Sequence, residues 1–335
     1  MSRKRVIIAL KSALALALVV GVGWHFAKLL RSEELTTREL TVRYELLVPA
    51  GLLYLGAHTI WATFFVQLLR SQGADVSWRA GVRAYFVSQF GKYVPGKAWV
   101  IVLRVVMLRR AGVSTAVVGL AATYETLTSM AAGAIIGVCL LPWTDFGDLV
   151  ENEIGPWTWV ALVAIGCLPL GFLGLNRFAR RVARWRQGPD ARPLPVPRIG
   201  LLARGLLQDS VGWCLLGLSL WLTLRAVVPE TADLSPEMYR NSVAAVAVAY
   251  VAGFVAFVSP SGLGARELLL QLMLTRQLQP DVGSAAAGLA VIVALIVRLV
   301  WTVFEVGFAL MLFWFAKPTV ATPLVEPIAV GGDHV

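Results

Sequence analysis

The sequence predicts an all-α integral membrane protein with about six transmembrane helices and two re-entrant helical hairpins, arranged as an inverted repeat. Its composition is the first reason: 58% of the 335 residues are hydrophobic, 15% are charged, and the mean hydropathy is +0.72. A water-soluble fold of this size needs more polar surface. The long apolar runs and their alternation with charged loops are the other two reasons.

Six apolar runs are long enough to be transmembrane helices. A helix needs about 20 apolar residues to cross a hydrocarbon core of about 30 Å. The runs are Val6–Leu30, Leu46–Leu69, Val113–Leu141, Trp157–Leu175, Gly205–Val228 and Ser284–Phe315. The first is also compatible with a signal peptide because Arg3, Lys4 and Arg5 precede it, although its apolar residues continue past the candidate cleavage site.

The distribution of charge predicts the orientation of the spans. The net charge of +10 is typical of nucleic-acid binding, but the basic residues are concentrated in one predicted loop, and an acidic loop precedes it. The basic residues are Arg177, Arg180, Arg181, Arg184, Arg186, Arg192 and Arg198, and the acidic residues are Asp145, Asp148, Glu151 and Glu153. The positive-inside rule then places the basic linker 176–204, the N-terminus and the tail 317–335 in the cytoplasm. We therefore expect no nucleic-acid partner, and a secondary role of the linker in holding anionic lipid headgroups stays open.

Two apolar stretches are interrupted. The first interrupted segment consists of Ala80–Phe90 and Ala98–Leu108, separated by Gly91–Lys97. Each piece reaches only about 16 Å as a helix, too short to cross. Arginines flank both ends of the segment, so both ends are expected in the cytoplasm and the segment is predicted to be a re-entrant hairpin.

The second interrupted segment runs apolar over Asn241–Val258, breaks at Ser259–Glu267 and resumes over Leu268–Leu278. The order of the spans makes it enter from the opposite face, which leaves the C-terminus in the cytoplasm. In the alternative, Asn241–Val258 crosses the membrane alone and the C-terminus lies outside.

The order of spans and interruptions is the same in both halves of the chain. We therefore predict one transmembrane domain, 1–335, with a first repeat at 6–141 and an inverted second repeat at 157–315. In transporters of this plan, paired Gly/Pro-interrupted segments indicate the substrate site. The alternative is that Pro95 and Pro260 merely kink ordinary helices.

Charged residues inside the spans and at the interruptions are the candidate ligands. Glu125, Asp209, Arg298 and Glu305 lie within predicted spans, where ionisable groups are costly. They are either interhelical ion pairs or ligands for a headgroup or a proton. Lys92, Lys97, Arg104 and Arg266 surround the two interruptions and favour an anionic ligand such as a lipid phosphate. Glu267 either holds Arg266 in place or binds a headgroup amine.

No catalytic constellation is evident. The three histidines are scattered, the three cysteines have no metal-ligand spacing, and no acidic pair lies in a cytoplasmic loop. We therefore predict no enzyme activity, no cofactor and no metal site. A membrane transferase that acts on a lipid phosphate or glycolipid, and an accessory subunit of a separate lipid-modifying enzyme, are the alternatives.

Three motifs resemble a known family. They are QFGKYVPGK at Gln89–Lys97 followed by Arg104, Tyr124 with Glu125, and SPSGLGARE at Ser259–Glu267. They are similar to motifs of the flippase-like transmembrane family of lysylphosphatidylglycerol synthase, also called the membrane region of multiple peptide resistance factor. Ser261 stands where that family has a glycine.

The resemblance implies a bacterial inner-membrane protein that moves an anionic or amino-acylated phospholipid, or a related lipid-linked headgroup, between leaflets. The chain stops at Val335 without the soluble aminoacyl-transferase domain of the synthase, so we expect no lipid aminoacylation. The predicted substrate-binding residues are Lys92, Tyr93, Pro95, Gly96, Lys97, Arg104, Glu125, Asp209, Pro260, Gly262, Gly264, Arg266, Glu267, Arg298 and Glu305. The partner is a membrane phospholipid or lipid-linked substrate, and the oligomeric state stays open.

Overall fold

A computed structural model of the chain describes residues 24, 27–28, 31, 41–93, 99–146, 157–187, 196–229, 235–255 and 264–315. All regular structure within these residues is helical. The predicted first span lies outside the described residues except for Trp24, Ala27 and Lys28, and the tail 317–335 lies wholly outside them.

Nine α-helices lie within the described residues between Leu47 and Phe315. They are α1 Leu47–Ser71, α2 Trp78–Ser88, α3 Trp99–Arg109, α4 Thr115–Leu140, α5 Trp157–Gln187, α6 Ile199–Val227, α7 Pro236–Val255, α8 Ala265–Val282 and α9 Ala286–Phe315. A 3₁₀ turn at Gln89–Tyr93 follows α2, and another at Gly283–Ala285 joins α8 to α9.

The all-α membrane fold predicted from composition is confirmed. Five helical stretches of the described residues are long and apolar enough to cross a membrane: Tyr44–Ser71, Thr115–Trp143, Trp159–Phe178, Ile199–Val227 and Ala265–Trp314. The apolar window of α6 is 61% buried, whereas that of α5 is only 22% buried. Helix α6 is therefore central in the bundle, and α5 is peripheral.

The central helix packs closely against α1. The position where Gly205 would carry a Cβ atom is occupied by the ring of Phe64, and further along α6 the Ser219 hydroxyl donates a hydrogen bond of 2.7 Å to the Ala50 carbonyl. These contacts run in opposite directions along the two helices, so α1 and α6 are antiparallel. Small residues permit this close approach, as is common between membrane helices.

The first interrupted segment forms two short helices that pack against each other, α2 and α3, with 11 residues each. Each is about 16 Å long, as predicted. Gly91 lies at their junction, where an added Cβ atom would be 2.6 Å from the backbone of Trp99 and Val100. Arg83 of α2 donates a hydrogen bond of 3.0 Å to the Leu312 carbonyl near the end of α9, which connects this segment to the last helix.

The second interrupted segment differs from its prediction in length. Its second helix, α8, has 18 residues and covers Ala265–Val282, so the shorter piece predicted as Leu268–Leu278 is wrong in extent. Polar residues had ended the apolar run, yet Gln277 is buried inside the bundle. The helix continues because the protein, and not lipid, surrounds these polar side chains.

The predicted basic loop is also partly helical. Helix α5 continues through Arg177, Arg180 and Arg181 to Gln187, and α6 already begins at Ile199. Residues 176–187 and 199–204 of the predicted linker are therefore helical. Arginine is a good helix former, so a helix can extend beyond its apolar part into the polar region.

Candidate functional site

A small polar cavity lies where the two interrupted segments meet. Its volume is about 20 Å³, which is space for roughly one water molecule. It is lined by Tyr54, Lys92, Tyr250, Arg266, Arg298, Trp301, Thr302 and Glu305. Lys92 comes from the turn after α2 and Arg266 from the first turn of α8, so both interrupted segments contribute to one cavity.

The cavity lies near the middle of α9, the long apolar last helix. Arg298 and Glu305 both fall in the middle third of α9, which spans Ala286–Phe315. Trp301 and Thr302 lie between them on the same helical face, because residues three, four and seven apart share a face. A helix of 30 residues is about 45 Å long, so the cavity is far from both of its ends.

Glu305 joins the first interrupted segment to α9. Its carboxylate pairs with the Lys92 ammonium group and accepts a hydrogen bond from the Tyr54 hydroxyl. The Glu305 side chain is 2% exposed and the Lys92 side chain is 25% exposed. The ion pair is therefore buried on the α9 side and reaches toward the surface on the lysine side.

Glu267 organises the start of α8. One carboxylate oxygen accepts a hydrogen bond of 2.8 Å from the Gly264 backbone N–H, and the other pairs with Arg298 and lies 3.4 Å from Arg266 Nη2. Gly264 has φ +90°, a conformation that favours glycine. The sequence left open whether Glu267 holds Arg266 or binds an amine; here it caps the helix and contacts both arginines.

Arg266 is held by an aromatic ring as well. Its guanidinium carbon lies 4.1 Å from the centroid of the Tyr250 ring of α7, a cation–π geometry. The Tyr250 ring also packs against Trp301 at 5.7 Å between centroids. Arg266 is therefore positioned at the cavity by α7 and α8 together.

Among the described residues, the charges that line or contact the cavity do not cancel. The cations Lys92, Arg266 and Arg298 outnumber the carboxylates Glu267 and Glu305 by one in this part of the chain. A net positive, largely buried site attracts an anion, and Lys and Arg are the side chains that bind phosphate.

Arg104 and Glu125 form a second buried ion pair outside the cavity. Arg104 Nη1 lies 2.7 Å from Glu125 Oε2, with both side chains at 5% exposure or less. Arg104 also donates a hydrogen bond of 3.1 Å to Ser88 Oγ, and its guanidinium carbon lies 4.6 Å from the ring centroid of Phe65 and 4.4 Å from that of Tyr85. These contacts connect α1, α2, α3 and α4. Of the two alternatives left open by the sequence, an interhelical ion pair or a ligand, the geometry fits the interhelical ion pair.

Asp209 also lies away from the cavity. It sits well inside α6, is completely buried, and its two carboxylate oxygens have no hydrogen-bond partner among the described residues. Glu125 is within electrostatic range of it. Of the predicted site residues that are described, Asp209, Arg104 and Glu125 are those that the tertiary structure places in a different region from the cavity.

Some predicted site residues lie outside the part of the chain that the structure describes. Pro95, Gly96, Lys97, Pro260 and Gly262 are outside the described residues, and so is the side chain of Tyr93. Conversely, Tyr54, Tyr250, Trp301 and Thr302 line the cavity and were not predicted from the sequence. The spacing of Trp301 and Thr302 between Arg298 and Glu305 was a usable signal, whereas nothing local distinguishes Tyr54 or Tyr250 from other aromatic residues in a span.

No group of three or more His, Cys, Asp or Glu side chains that could hold a metal ion occurs in the part of the chain that the structure describes. Cys139, Cys167 and Cys214 are free thiols.

A bundle of long apolar helices with a charged cavity inside defines a multi-pass integral membrane protein with an internal polar site. The chain matches the family described as the lysylphosphatidylglycerol synthase TM region over residues 12–315, and it belongs to that family. This confirms the resemblance inferred from the three motifs and is consistent with a lipid-related function in a membrane. A search of curated proteins finds no match.

Proposed function

We propose that this protein is a lipid translocase that moves a lipid headgroup between leaflets through the cavity between the two interrupted segments. The observation that carries the proposal is that Lys92 and Arg266, one from each segment, line a single charged cavity at the middle of α9. Transporters with interrupted helices bind their substrates at such a midplane junction.

The lengths of α2 and α3 support a re-entrant hairpin in the first interrupted segment. Helices α2 and α3 are each about 16 Å long, about half of a hydrocarbon core. Helices α7 and α8, with 20 and 18 residues, pack against each other and reach the same cavity. We infer that the two segments enter from opposite faces, in a bacterial inner membrane with both chain termini in the cytoplasm, as the charge distribution predicts.

A second correspondence supports the inverted repeat. In the first half, Arg104 of the returning helix α3 pairs with Glu125 of the following helix α4. In the second half, Glu267 of α8 pairs with Arg298 of the following helix α9. The two pairs occupy equivalent places in the order of helices, with the arginine and the glutamate exchanged. This is expected for diverged copies of one unit.

The size of the cavity implies an opening step. About 20 Å³ accommodates roughly one water molecule, whereas a phosphate headgroup is several times larger. In the proposed cycle, the phosphate takes the place of Glu305 on Lys92 and of Glu267 on Arg298.

The charge balance favours one substrate class. Within the described residues, three cations against two carboxylates leave one positive charge, which a headgroup with a single net negative charge would neutralise. An amino-acylated lipid, whose amine would bind Glu305 or Glu267, is the second arm of the test. No specific observation favours a membrane transferase or an accessory subunit of a lipid-modifying enzyme, so the proposal is transport and not catalysis.

The test uses protein reconstituted in phosphatidylcholine vesicles that contain phosphatidylglycerol with a fluorescent acyl chain. Dithionite added outside quenches only outer-leaflet label, so lipid movement appears as additional quenching. We expect movement with the unchanged protein and a rate near that of protein-free vesicles with Arg298→Gln. The matched control, Arg109→Gln, changes an exposed arginine at the end of α3 and should retain movement.

Equal rates for Arg298→Gln and the unchanged protein would contradict the proposed site, provided that both elute as folded protein. Equal rates for the unchanged protein and protein-free vesicles would contradict the translocase proposal itself. Replacing phosphatidylglycerol by its lysylated derivative distinguishes the two substrate arms.

A further inference from the structure

The carboxyl group of Asp209 is a buried group that the cavity does not use. Its side chain is completely buried in α6, and neither carboxylate oxygen has a hydrogen-bond partner within the described residues. A buried ionised carboxylate without a partner is strongly unfavourable, whereas the protonated acid avoids most of that cost. The environment of Asp209 therefore favours the protonated form.

The helices around Asp209 supply oxygen atoms and no pairing cation among the described residues. On α4, Glu125 is within electrostatic range, and the buried hydroxyl groups of Thr128 and Ser129 have no partner in this part of the chain. Trp213, one turn further along α6, donates a hydrogen bond of 2.9 Å to the Ser129 carbonyl, so α4 and α6 are in direct contact at this level. The Glu125 carboxylate adds repulsion to any negative charge on Asp209.

The other neighbouring helices do not compensate this charge. On α1, Trp61 Nε1 donates to the backbone carbonyl of Asp209 at 3.3 Å, and His58 lies one turn away against Trp61. On α7, Tyr250 packs against Trp213. On α9, the charged residues Arg298 and Glu305 pair with Glu267 and Lys92 instead.

Arg104 of α3 is the cation that pairs with Glu125. Both Arg104 and Asp209 lie within electrostatic range of Tyr85, and the Arg104 guanidinium carbon is 4.4 Å from that ring centroid. A negative charge on Asp209 would repel the Glu125 carboxylate, which pairs with Arg104. Arg104 belongs to α3, and α3 contacts the turn that carries Lys92.

We propose that Asp209 is a proton-binding site, protonated in the state described here, and that its loss of a proton drives a conformational change of the first interrupted segment. The O–H bond of the acid breaks, the proton passes to water, and the electron pair stays on the carboxylate. The new anion repels the Glu125 carboxylate, this weakens the Glu125–Arg104 pair, and the movement of α3 reaches Lys92 and the cavity. The coupling of this step to lipid movement rests on the proposed translocase function.

The proton site is tested without reference to transport, by infrared spectroscopy of the reconstituted protein. We expect the unchanged protein to have a carbonyl stretching band of a protonated carboxylic acid near neutral pH. Asp209→Asn should lose this band, and Asp281→Asn, which changes an exposed aspartate at the end of α8, should retain it. A spectrum of Asp209→Asn with the band unchanged would overturn the proposal.

The coupling is tested by lipid movement under an imposed pH gradient across the vesicle membrane. We expect the gradient to change the rate for the unchanged protein and for Asp281→Asn, and to have no effect on Asp209→Asn. An equal response of Asp209→Asn and the unchanged protein to the pH gradient overturns the coupling. A response of the unchanged protein to a sodium gradient, with none to the proton gradient, also overturns it. If the unchanged protein moves no lipid, the translocase proposal fails, and the infrared band still decides the proton site.

Discussion

The Lys92 ammonium group pairs with the Glu305 carboxylate, which lies 213 residues further along the chain. The pair connects the turn of the first interrupted segment to the middle of the last helix, and the Tyr54 hydroxyl joins it from α1. Three separate parts of the bundle therefore meet at one carboxylate. The stability of the closed cavity and its affinity for an anion both depend on this contact.

Glu305→Gln should lower the stability of the protein, because it leaves the Lys92 cation without a full charge partner. Removal of one member of a fully buried pair costs about 3–5 kcal/mol, and Lys92 is a quarter exposed, so we expect a smaller loss. Thermal unfolding in detergent measures it. In a double-mutant cycle with Lys92→Met, we expect the combined loss to be smaller than the sum of the single losses; strict additivity would contradict the pairing.

Arg104→Lys should be destabilising even though it keeps the charge. Lysine lacks the planar fork that lets Arg104 bond to Glu125 and Ser88 while stacking on Phe65 and Tyr85. We expect a loss on the order of 1–3 kcal/mol from the hydrogen bond and cation–π contacts together. The control is Arg109→Lys, at an exposed position of the same helix, which should unfold at the temperature of the unchanged protein.

Gly91→Ala should separate α2 from α3. The added methyl group would lie 2.6 Å from backbone atoms of Trp99 and Val100, and backbone atoms have little freedom to yield. We expect a loss of about 1–3 kcal/mol, typical of overpacking, together with reduced lipid movement because Lys92 is displaced. The control is Gly119→Ala in α4, where nothing lies within 4 Å of the added atom; a similar loss there would show that the effect is not steric.

Tyr250→Leu should weaken binding of an anionic lipid, because Arg266 loses the ring over which its guanidinium group lies at 4.1 Å. A desolvated cation–π contact is worth about 2 kcal/mol, so we expect up to about a thirtyfold lower affinity. Tyr250→Phe keeps the ring and should bind nearly as well as the unchanged protein. Fluorescence titration with a short-chain phosphatidylglycerol measures both, and equal affinities of the Leu and Phe variants would remove the ring from the site.

The apolar runs of the sequence were sufficient to predict five of the long helices and both helices of the first interrupted segment. For example, α1 was predicted as Leu46–Leu69 and spans Leu47–Ser71, because about 20 apolar residues form a helix wherever water is excluded. The predicted ends were wrong where polar residues continue a helix, as Gln277 does in α8 and Arg181 does in α5. Hydropathy indicates whether a segment contacts lipid or water. A polar side chain inside a bundle or beyond the membrane lowers the hydropathy of the segment without ending the helix.

The sequence by itself determined the membrane class, the family and the charged residues from which a site can be built. The tertiary structure alone decided how those charges are grouped: Lys92 with Glu305 and Arg298 with Glu267 at the cavity, Arg104 with Glu125 apart from it, and Asp209 with no partner among the described residues. The reason is that helical periodicity relates residues only a few positions apart, whereas the pairing of buried charges depends on which faces of distant helices pack together.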